Sequence, residues 1–563
     1  MRIKTLQFLF IIFFILLGLC LFYLQVIKGP RYRELSYRNS IRLLGISAPR
    51  GIIYDRRGKK VAEDVLSFGV FIVPQEVKDL DAEIRRVSSI LDCSESLLKR
   101  NYKRNYRAPF APCELMANIP KNKAILIEEL KLDMPGVLIK ESHLRRYSYK
   151  EALAHVIGYI GEIDKRELGL LKTYGYVARD LIGKDGIERI SDATLRGENG
   201  GMQVQVDNRG RQVDVLSFKK PVKGKDIHLT IDAGLQNFLW NMMKGKKGAA
   251  IFMDHYTGEI LSLVSTPSYD PNASVSRILN DKRSPLLNRA IMGLYPPGSI
   301  FKIALALAAL ESGKIRPETT FVCHGRLNVG AASFRCWKRD GHGPVDLENG
   351  IIESCNVYFY NTGILLGVEG IWKYAKEFGF GEKTGIELFG EQKGFVPSRA
   401  WKKTEKNQNW YTGDTANLSI GQGYLLVTPL QVVRMFATLA NGGGLIRPHL
   451  LKDIRDSDIR RHKKIIIRLK KKNIELIKNG MKGVVASERG TGMRAWSEVC
   501  SISAKTGTSQ PGGGLKTHAW FGGFAPSEKP EISFVIFLEH GGSGGDLAAM
   551  IAKKAVEYWY KNR

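Results

Sequence analysis

Residues 295–302 read Tyr-Pro-Pro-Gly-Ser-Ile-Phe-Lys and lead directly into the apolar run 303–310, Ile-Ala-Leu-Ala-Leu-Ala-Ala-Leu. Proline and glycine just before such a run are start signals for a helix. The spacing i, i+3 puts the hydroxyl of Ser299 and the amine of Lys302 one turn apart on the same face. Because a helix N-terminus disfavours positive charge, we expect a lowered pKa for Lys302. A neutral amine there could take the serine proton, so the pattern predicts a nucleophilic serine.

Two further motifs follow this segment along the chain. Ser354-Cys355-Asn356 begins 55 residues after Ser299, within a stretch that reads as helical. Lys505-Thr506-Gly507-Thr508 begins 206 residues after Ser299 and ends an alternating segment, which predicts an edge strand. A glycine there lets a ligand backbone approach, and a peptide could pair with the edge as an added strand. Each motif alone is weak, but the ordered set S-x-x-K, S-x-N and K-T-G is specific for one group of serine acyltransferases.

The sequence resembles the class B, monofunctional penicillin-binding proteins along nearly its whole length. Besides the three motifs, the resemblance rests on the segments RGIIYDRRG (50–58), LRGENGG (195–201), ANLSIGQGYLLVTPLQ (416–431) and HAWFGGFAP (518–526). Residues before 225 contain no glycosyltransferase-like segment, which argues against a bifunctional class A protein. The resemblance implies an α/β protein, whose penicillin-binding/β-lactamase-like transpeptidase domain has an antiparallel sheet flanked by helices.

The domain order follows from the same comparison and from a change of pattern near residue 225. We expect a short cytoplasmic tail at 1–5, a transmembrane anchor at 6–26, and a non-catalytic pedestal or dimerisation-like domain at 27–225. The pedestal should be elongated and of the α+β class. The transpeptidase domain is expected at 226–563.

The N-terminal segment predicts the compartment. Residues 6–26 are long enough to span a bilayer and contain two strongly polar residues, Gln7 and Gln25, near the ends. No small-residue cleavage pattern follows, so we expect an uncleaved single-pass anchor. Basic residues on both sides leave the orientation open by charge alone. The expected chemistry places the catalytic domain in the periplasm and the anchor in the inner membrane.

Composition supports a folded, membrane-attached protein with an anionic partner. The 563 residues carry a formal net charge of +29, with 44% hydrophobic residues and seven cysteines. Seven scattered cysteines do not make a small disulfide scaffold. For a periplasmic domain, the basic excess would face lipid head groups and cell-wall polymer, so no nucleic-acid partner is expected.

The resemblance implies a role for each motif residue. Ser299 would be acylated by the penultimate D-Ala of a donor stem peptide, and Lys302 would be its base. Ser354 would pass the proton to the leaving amine, with Lys505 tuning it electrostatically. Asn356 would hold the acyl-side amide.

The remaining implied contacts concern the edge strand. Thr506, Gly507 and Thr508 would bind the substrate, and the backbone N–H groups of Ser299 and Thr508 would form an oxyanion hole. β-Lactams would acylate the same serine. By resemblance alone, the partners would be a SEDS-family glycan polymerase and other proteins of the elongation complex.

Three cysteines and a histidine lie between the first two motifs. The pattern C-x12-C-x5-H-x12-C comprises Cys323, Cys336, His342 and Cys355. Three thiolates and an imidazole suit tetrahedral structural zinc. The segment CWKRDGHG (336–343) resembles the elongation-type branch of the family, penicillin-binding protein 2, which has a metal site there. Two ligands in those relatives are aspartates, so Cys323 and Cys336 depart from that pattern.

Other interpretations of these cysteines stay open at this stage. Cys323 and Cys336 could form a disulfide in an oxidising periplasm, or no bond at all, with Cys355 simply buried. Substitute metal ligands are available in His324 and Asp340. Cys93 and Cys113 could pair with each other in the pedestal.

The sequence therefore predicts a peptidoglycan D,D-transpeptidase that cross-links stem peptides during cell elongation. One alternative is a β-lactam-hydrolysing or sensing protein of the same fold. The long pedestal and the absence of a recognisable deacylation-base motif argue against it. A second alternative is a scaffold with a silent site, which the intact motif set disfavours. A third is septal cross-linking, which the Cys and His quartet disfavours.

Overall fold

The computed structural model describes residues 2–207, 212–273, 279–452 and 465–563, which form two compact units. The first unit comprises Met1–Gly51, Asp64–Arg145 and Ala193–Lys225. The second comprises Ile52–Glu63, Arg146–Asp192 and Asp226–Arg563. Two segments that precede residue 226 thus pack with the second unit. Lys225, at the predicted boundary, ends the last segment of the first.

The chain begins with an exposed apolar helix. The α-helix Arg2–Phe22 continues as a π-helical turn, Tyr23–Ile27, and Gly29–Ser40 forms a separate helix. The apolar stretch Ile3–Ile27 is 25 residues long and none of it is buried in the structure. At 1.5 Å per residue, it reaches across the roughly 30 Å hydrocarbon core of a bilayer. This helix fits the membrane anchor predicted at 6–26.

The other α-helices are short to medium in length. They are Leu80–Leu91, Glu95–Asn105, Lys121–Glu129, Ala154–Ile157, Lys165–Leu171, Gly186–Ile190, Asp192–Leu195, Ala233–Met243, Lys302–Glu311, Leu347–Ile352, Asn356–Glu377, Arg399–Lys406, Thr412–Ser419, Pro429–Ala440, Lys471–Ala486 and Ala549–Asn562.

The strands run from the N-terminal unit to the end of the chain. They are Ile41–Ile46, Ile53–Tyr54, Lys60–Ile72, Cys113–Ile119, Val137–Tyr147, Ile160–Glu162, Leu181–Gly183, Gly200–Val206, Gln212–Lys219, Ile227–His228, Gly248–Asp254, Ile260–Thr266, Phe321–Cys323, Arg326–Val329, Ala332–Arg335, Gly343–Val345, Gly444–Leu445, Ile465–Ile466, Ser503–Ser509, His518–Ala525 and Ile532–Leu538.

The first unit combines a three-stranded sheet with a core to which both helices and strands contribute. Gly200–Val206 lies between Ile41–Ile46 and Gln212–Lys219 in a three-stranded antiparallel sheet. Two of its helices begin at capping side chains: Asp79 accepts from the backbone N–H of Ala82, and Ser94 accepts from that of Leu97. Their apolar faces pack in a core that includes Val70, Ile72, Ile84, Val87, Leu98 and Leu115.

A five-stranded antiparallel sheet organises the second unit. In spatial order its strands are Ile260–Thr266, Gly248–Asp254, Ile532–Leu538, His518–Ala525 and Ser503–Ser509. The three inner strands are buried almost throughout, which means that both faces of the sheet are covered. Ser503–Ser509 is an edge strand, as the alternating segment before Lys505 predicts.

Helices cover the two faces of this sheet. Pro429–Ala440 begins at Thr428, whose hydroxyl accepts from the N–H of Gln431 in a capping box. It packs on one face, where Phe436 lies so close to Gly522 that a Cβ there would be 2.5 Å from the ring. Ala233–Met243 and Ala549–Asn562 pack on the other face, with Leu235, Phe252, Phe521, Phe534, Ile536 and Trp559 among the core residues. This is the antiparallel sheet flanked by helices that the sequence predicts.

Candidate active site

Ser299 lies in a 3₁₀ turn, Gly298–Phe301, that leads straight into the helix Lys302–Glu311. Gly298 has φ of +56°, and a Cβ there would lie 2.7 Å from the carbonyl oxygen of Thr508. A side chain at this position would therefore push the serine turn away from the edge strand. The proline–glycine start signal predicts this turn, and the turn leaves Ser299 partly exposed to solvent.

The amine of Lys302 is completely buried and makes three hydrogen bonds. Its Nζ donates to the backbone oxygen of Ser354 at 2.9 Å, to Ser354 Oγ at 3.3 Å and to Asn356 Oδ1 at 2.7 Å. Burial lowers the pKa of Lys302 to about 8, although nearby thiols of Cys355 and Cys336 oppose the shift. The predicted lowering of the pKa is present, but its main cause is desolvation rather than the helix N-terminus.

Ser354 breaks the helix that the sequence predicts across this motif. One helix ends at Ile352 and the next begins at Asn356, and Ser354 between them has φ of +53°. A left-handed conformation in a non-glycine residue costs of order 1–3 kcal/mol and persists where surrounding contacts hold it. Here the contacts are hydrogen bonds from two lysine amines, since Lys505 Nζ lies 2.7 Å from Ser354 Oγ.

Lys505 brings a second buried amine to the same hydroxyl. It lies on the edge strand Ser503–Ser509 and is fully buried, like Lys302. Burial, and then the charge of Lys302, hold the pKa of Lys505 well below its usual range. Two ammonium groups around one hydroxyl in a buried site repel each other, so the arrangement favours a neutral amine on one of them.

The edge strand carries the other residues of the third motif. Thr506 Oγ1 lies 2.7 Å from Thr491 Oγ1, and Thr508 is exposed. A Cβ on Gly507 would lie 2.8 Å from Ile300 and 2.9 Å from Trp520, so only glycine fits between them without displacement. The strand can therefore lie directly against the serine turn.

A cavity of about 1050 Å³ joins these elements. Six of the predicted site residues line it: Ser299, Ser354, Asn356, Thr506 and Thr508 of the three motifs, and Cys336 of the predicted metal-ligating set. The amines of Lys302 and Lys505 reach the cavity through their hydrogen bonds to Ser354 and Asn356. The structure thus places the nucleophile and the two supporting amines of the predicted set around one opening.

Several lining residues were not predicted from the sequence as site residues. They are Ser333, Phe334, Arg335, Trp337, Tyr360, Asn417, Ile420, Gln422, Gly423, Thr491, Gln510, Gly512, Thr517, Ser543 and Gly545. Gln422 Nε2 lies 3.5 Å from the carbonyl oxygen of Thr508. Gln422 belongs to the glycine-rich segment SIGQG (419–423), which is part of the family resemblance but does not by itself indicate a chemical role. Polar loop residues elsewhere give no comparable signal.

The four predicted metal-ligating residues come together beside the site. We call Cys323, Cys336, His342 and Cys355 the Cys-His cluster; their ligand atoms all lie within 4.8 Å of one another. His342 Nδ1 is 3.5 Å from Cys323 Sγ and 3.6 Å from Cys336 Sγ. The substitutes considered from the sequence, His324 and Asp340, are not members of this cluster.

The thiols of the Cys-His cluster differ in acidity. A hydrogen bond from Cys355 lowers the pKa of Cys336 despite burial, with help from the backbone N–H groups of Asn356 and Lys338. The same hydrogen bond and burial raise the pKa of Cys355. All seven cysteines of the chain are free thiols in the structure, so Cys323 and Cys336, like Cys93 and Cys113, are not joined here.

Comparison with protein families gives two matches. The penicillin-binding protein transpeptidase domain matches residues 248–557, and the penicillin-binding protein dimerisation domain matches residues 45–229. The first match alone spans more than half of the chain. The chain belongs to the penicillin-binding protein transpeptidase family.

Individual relatives cover nearly the whole chain. Peptidoglycan D,D-transpeptidase MrdA of Haemophilus influenzae is 34% identical over 96% of this chain and 89% of its own length. The complex of penicillin-binding protein 2 and MreC from Helicobacter pylori contains a similar chain, with a TM-score of 0.81 and 31% identity over 92% of this chain and 99% of that one. A structure described as coordination of polymerization and crosslinking by a peptidoglycan synthase complex gives a TM-score of 0.75 and 29% identity over 100% of this chain and 99% of that one.

The close approach at Gly507 yields a stability prediction. Gly507→Ala should destabilise the transpeptidase domain by about 1–3 kcal/mol, because the added methyl overpacks against Ile300 and Trp520. The measurement is thermal unfolding of the detergent-solubilised full chain. Gly169→Ala is the matched control, since a Cβ there meets no atom within 4 Å and the residue lies in a helix. Equal midpoints for Gly507→Ala and the parent chain would contradict the packing described here.

Proposed function

We propose that this chain is a peptidoglycan D,D-transpeptidase that cross-links stem peptides during cell elongation through an acyl-enzyme on Ser299. The observation that carries the proposal is the hydrogen-bonded series Lys302–Ser354–Lys505, buried beside a partly exposed serine at the cavity wall. It supplies a base, a proton relay and a second amine at the cavity that Ser299 also lines.

The first half of the reaction forms the acyl-enzyme. Ser299 Oγ attacks the carbonyl carbon of the penultimate D-Ala and gives its proton to neutral Lys302. The C–N bond to the terminal D-Ala then breaks. Ser354 delivers its proton to the departing nitrogen and takes up the proton that Lys302 received from Ser299, and Lys505 lowers the cost of negative charge on the Ser354 oxygen. Terminal D-Ala leaves as the free amino acid.

The second half transfers the acyl group. An amine of a neighbouring stem peptide attacks the ester carbonyl, a C–N bond forms, and the bond to Ser299 Oγ breaks. The amine loses one proton to the Lys302 and Ser354 pair, and Ser299 regains one. The net change is one amide exchanged for another, which needs no external energy source.

Backbone groups hold the substrate and the developing oxyanion. The donor peptide pairs with the Ser503–Ser509 edge, where Thr506 and Thr508 line the cavity and Gly507 lies between them. Asn356 holds the acyl-side amide. The N–H groups of Ser299 and Thr508 receive the oxyanion. The backbones of Gly298 and Thr508 lie close together, which supports the proposal that the N–H groups of Ser299 and Thr508 bind the same oxyanion. β-Lactams acylate the same serine.

Zinc in the Cys-His cluster is the second part of the proposal. A tetrahedral ion with bonds of about 2.0–2.3 Å needs its ligand atoms about 3.3–3.8 Å apart, and the spread here is within 4.8 Å. His342 Nε2 has no hydrogen-bond partner among the described residues and lies 3.9 Å from Glu353 Oε2, a carboxylate suited to orient a ligating imidazole. Zinc would brace Cys355, and with it Ser354 and Asn356.

We place the protein in the inner membrane, with one span and a periplasmic catalytic domain. The exposed apolar helix Ile3–Ile27 supports the anchor, and the substrate chemistry supports the compartment. A SEDS-family glycan polymerase and other elongation proteins are the proposed partners. Two similar structures support that assignment. One is the H. pylori relative in complex with MreC, and the other is a peptidoglycan synthase complex that contains a chain similar to this one over its entire length. The Cys-His cluster favours elongation over septal cross-linking.

Covalent labelling tests the serine mechanism. Intact-mass analysis of the full chain with a penicillin should show one stable adduct, and Ser299→Ala should show none. Penicillin consumption without a lasting adduct would identify a hydrolase instead. Neither adduct nor consumption by the parent chain would identify a scaffold with a silent site.

The pKa of Lys302 makes the reaction pH-dependent. Only the neutral amine can accept the Ser299 proton, so the second-order rate constant for penicillin acylation should rise with pH through about 8 and then level off. Stopped-flow mixing between about pH 6 and pH 10 measures this profile. A rate that stays constant or falls over that interval would exclude Lys302 as the base.

Elemental analysis tests the metal. The purified chain should hold about one equivalent of zinc, and Cys336→Ser should lose it, while the control Cys500→Ser, a buried cysteine outside the Cys-His cluster, should keep it. Less than about half an equivalent, with Cys323 and Cys336 oxidised, would overturn the zinc assignment in favour of a disulfide.

A further inference from the structure

A short hairpin beside the cavity carries two arginines that face each other. Its strands are Arg326–Val329 and Ala332–Arg335, and we call it the arginine hairpin. Its register pairs Arg326 directly with Arg335. Side chains of directly paired residues share one face, with Cβ atoms about 4.5–5.5 Å apart, and like charges there are destabilising. The folded hairpin therefore keeps two positive charges close together, although their repulsion destabilises it.

No acidic group in the described part of the chain forms an ion pair with either arginine. The salt bridges of the structure include neither Arg326 nor Arg335, and both side chains are exposed. Among the described residues that line the active-site cavity, Arg335 is the one lysine or arginine, and none is an aspartate or a glutamate. The positive charge at this wall is available to a ligand.

The hairpin is fixed to the catalytic residues on one side of the cavity. The backbone oxygen of Arg335 accepts from Asn356 Nδ2 at 3.2 Å and from Tyr360 OH at 3.2 Å. Phe334 packs edge-on against Tyr360, and Cys336 of the Cys-His cluster follows Arg335 immediately. Arg335 is thus next to Asn356, which holds the acyl side of the donor in the proposed function.

We infer that Arg335, supported by Arg326, is a specificity-determining residue that binds a side-chain carboxylate of the donor peptide, on the residue before D-Ala–D-Ala. The inference rests on the proposed function and deepens it by assigning the residue that recognises this carboxylate. A guanidinium binds a carboxylate with two parallel hydrogen bonds, which fixes position as well as charge. Binding of that carboxylate also relieves the repulsion between the paired arginines.

The test compares two synthetic peptides that end in D-Ala–D-Ala. They differ at the preceding residue, which carries either a side-chain carboxylate or the matching carboxamide. Release of D-alanine and intact mass give kcat/KM for acylation of the full-length protein. We expect the parent chain to prefer the acidic peptide by roughly 10- to 100-fold, the range of a charge-assisted hydrogen bond. The preference should weaken as salt is added.

Variants assign that preference to the hairpin. Arg335→Gln should bring the ratio of the two rate constants close to one, and Arg335→Lys should keep part of it. Arg316→Gln removes another exposed arginine, which does not line the cavity, and it should keep the parent ratio. Because each ratio is internal to one variant, a uniform loss of folded protein does not change it.

The outcomes separate this inference from the proposed function. A parent chain that turns over both peptides equally would overturn the inference and leave the transpeptidase intact. A preference that survives Arg335→Gln would overturn it as well. A preference seen only when the acidic group is on the acceptor peptide would overturn the donor assignment. A parent chain acylated by neither peptide nor a penicillin would instead overturn the proposed function.

Discussion

Two lysine amines that are withdrawn from water share one serine hydroxyl, and the catalytic unit depends on this contact. Lys302 approaches Ser354 from a helix and Lys505 approaches it from a strand, at 3.3 and 2.7 Å from the same oxygen. Burial makes a second positive charge there costly, so the pKa of each amine falls. A lysine that is charged in water is thereby converted into a group that can accept a proton near neutral pH.

Close backbone packing holds that contact in place. Gly298 donates its N–H to the carbonyl oxygen of Gly421, and a Cβ on Gly421 would lie 2.2 Å from the Gly298 oxygen. Gly298 and Gly507 in turn allow the serine turn and the edge strand to touch. The nucleophile is therefore positioned by main chain rather than by long side chains, which limits how far it can move. The sheet and the helix Pro429–Ala440 provide the rigid support behind it.

Local sequence signals predict those parts of the site that local chemistry forms. The Pro-Gly start before Ser299, the alternating segment before Lys505 and the anchor helix are all in the structure. The sequence gives no sign of the break at Ser354, because the helical pattern continues across it and only tertiary hydrogen bonds select the left-handed conformation. Burial, the main cause of the lowered pKa of Lys302, is likewise a property of the whole fold and has no local signal in the sequence.

Long-range packing explains the other differences. The segments Ile52–Glu63 and Arg146–Asp192 belong to the second unit, and no linear pattern marks their partners. Arg335 is an exposed residue in a short polar strand, so nothing in its own neighbourhood distinguishes it from other surface arginines. Its importance arises from the register with Arg326 and from the nearby Asn356, and both depend on the folded hairpin. The Cys-His spacing, by contrast, predicted a real spatial cluster.

The open edge at Ser503–Ser509 has a further consequence. An unpaired strand offers the same row of amide and carbonyl groups to any extended chain, whatever its side chains. Pairing at this edge is therefore blind to amino-acid identity, and discrimination between a cell-wall peptide and an ordinary unfolded protein segment must come from elsewhere. Two properties can distinguish these peptides: the D or L configuration of the residue at the scissile bond, and the charge of the residue before it. Since the strand edge must stay accessible to a substrate backbone, selectivity has to come from chemical contacts to the substrate and not from covering the edge.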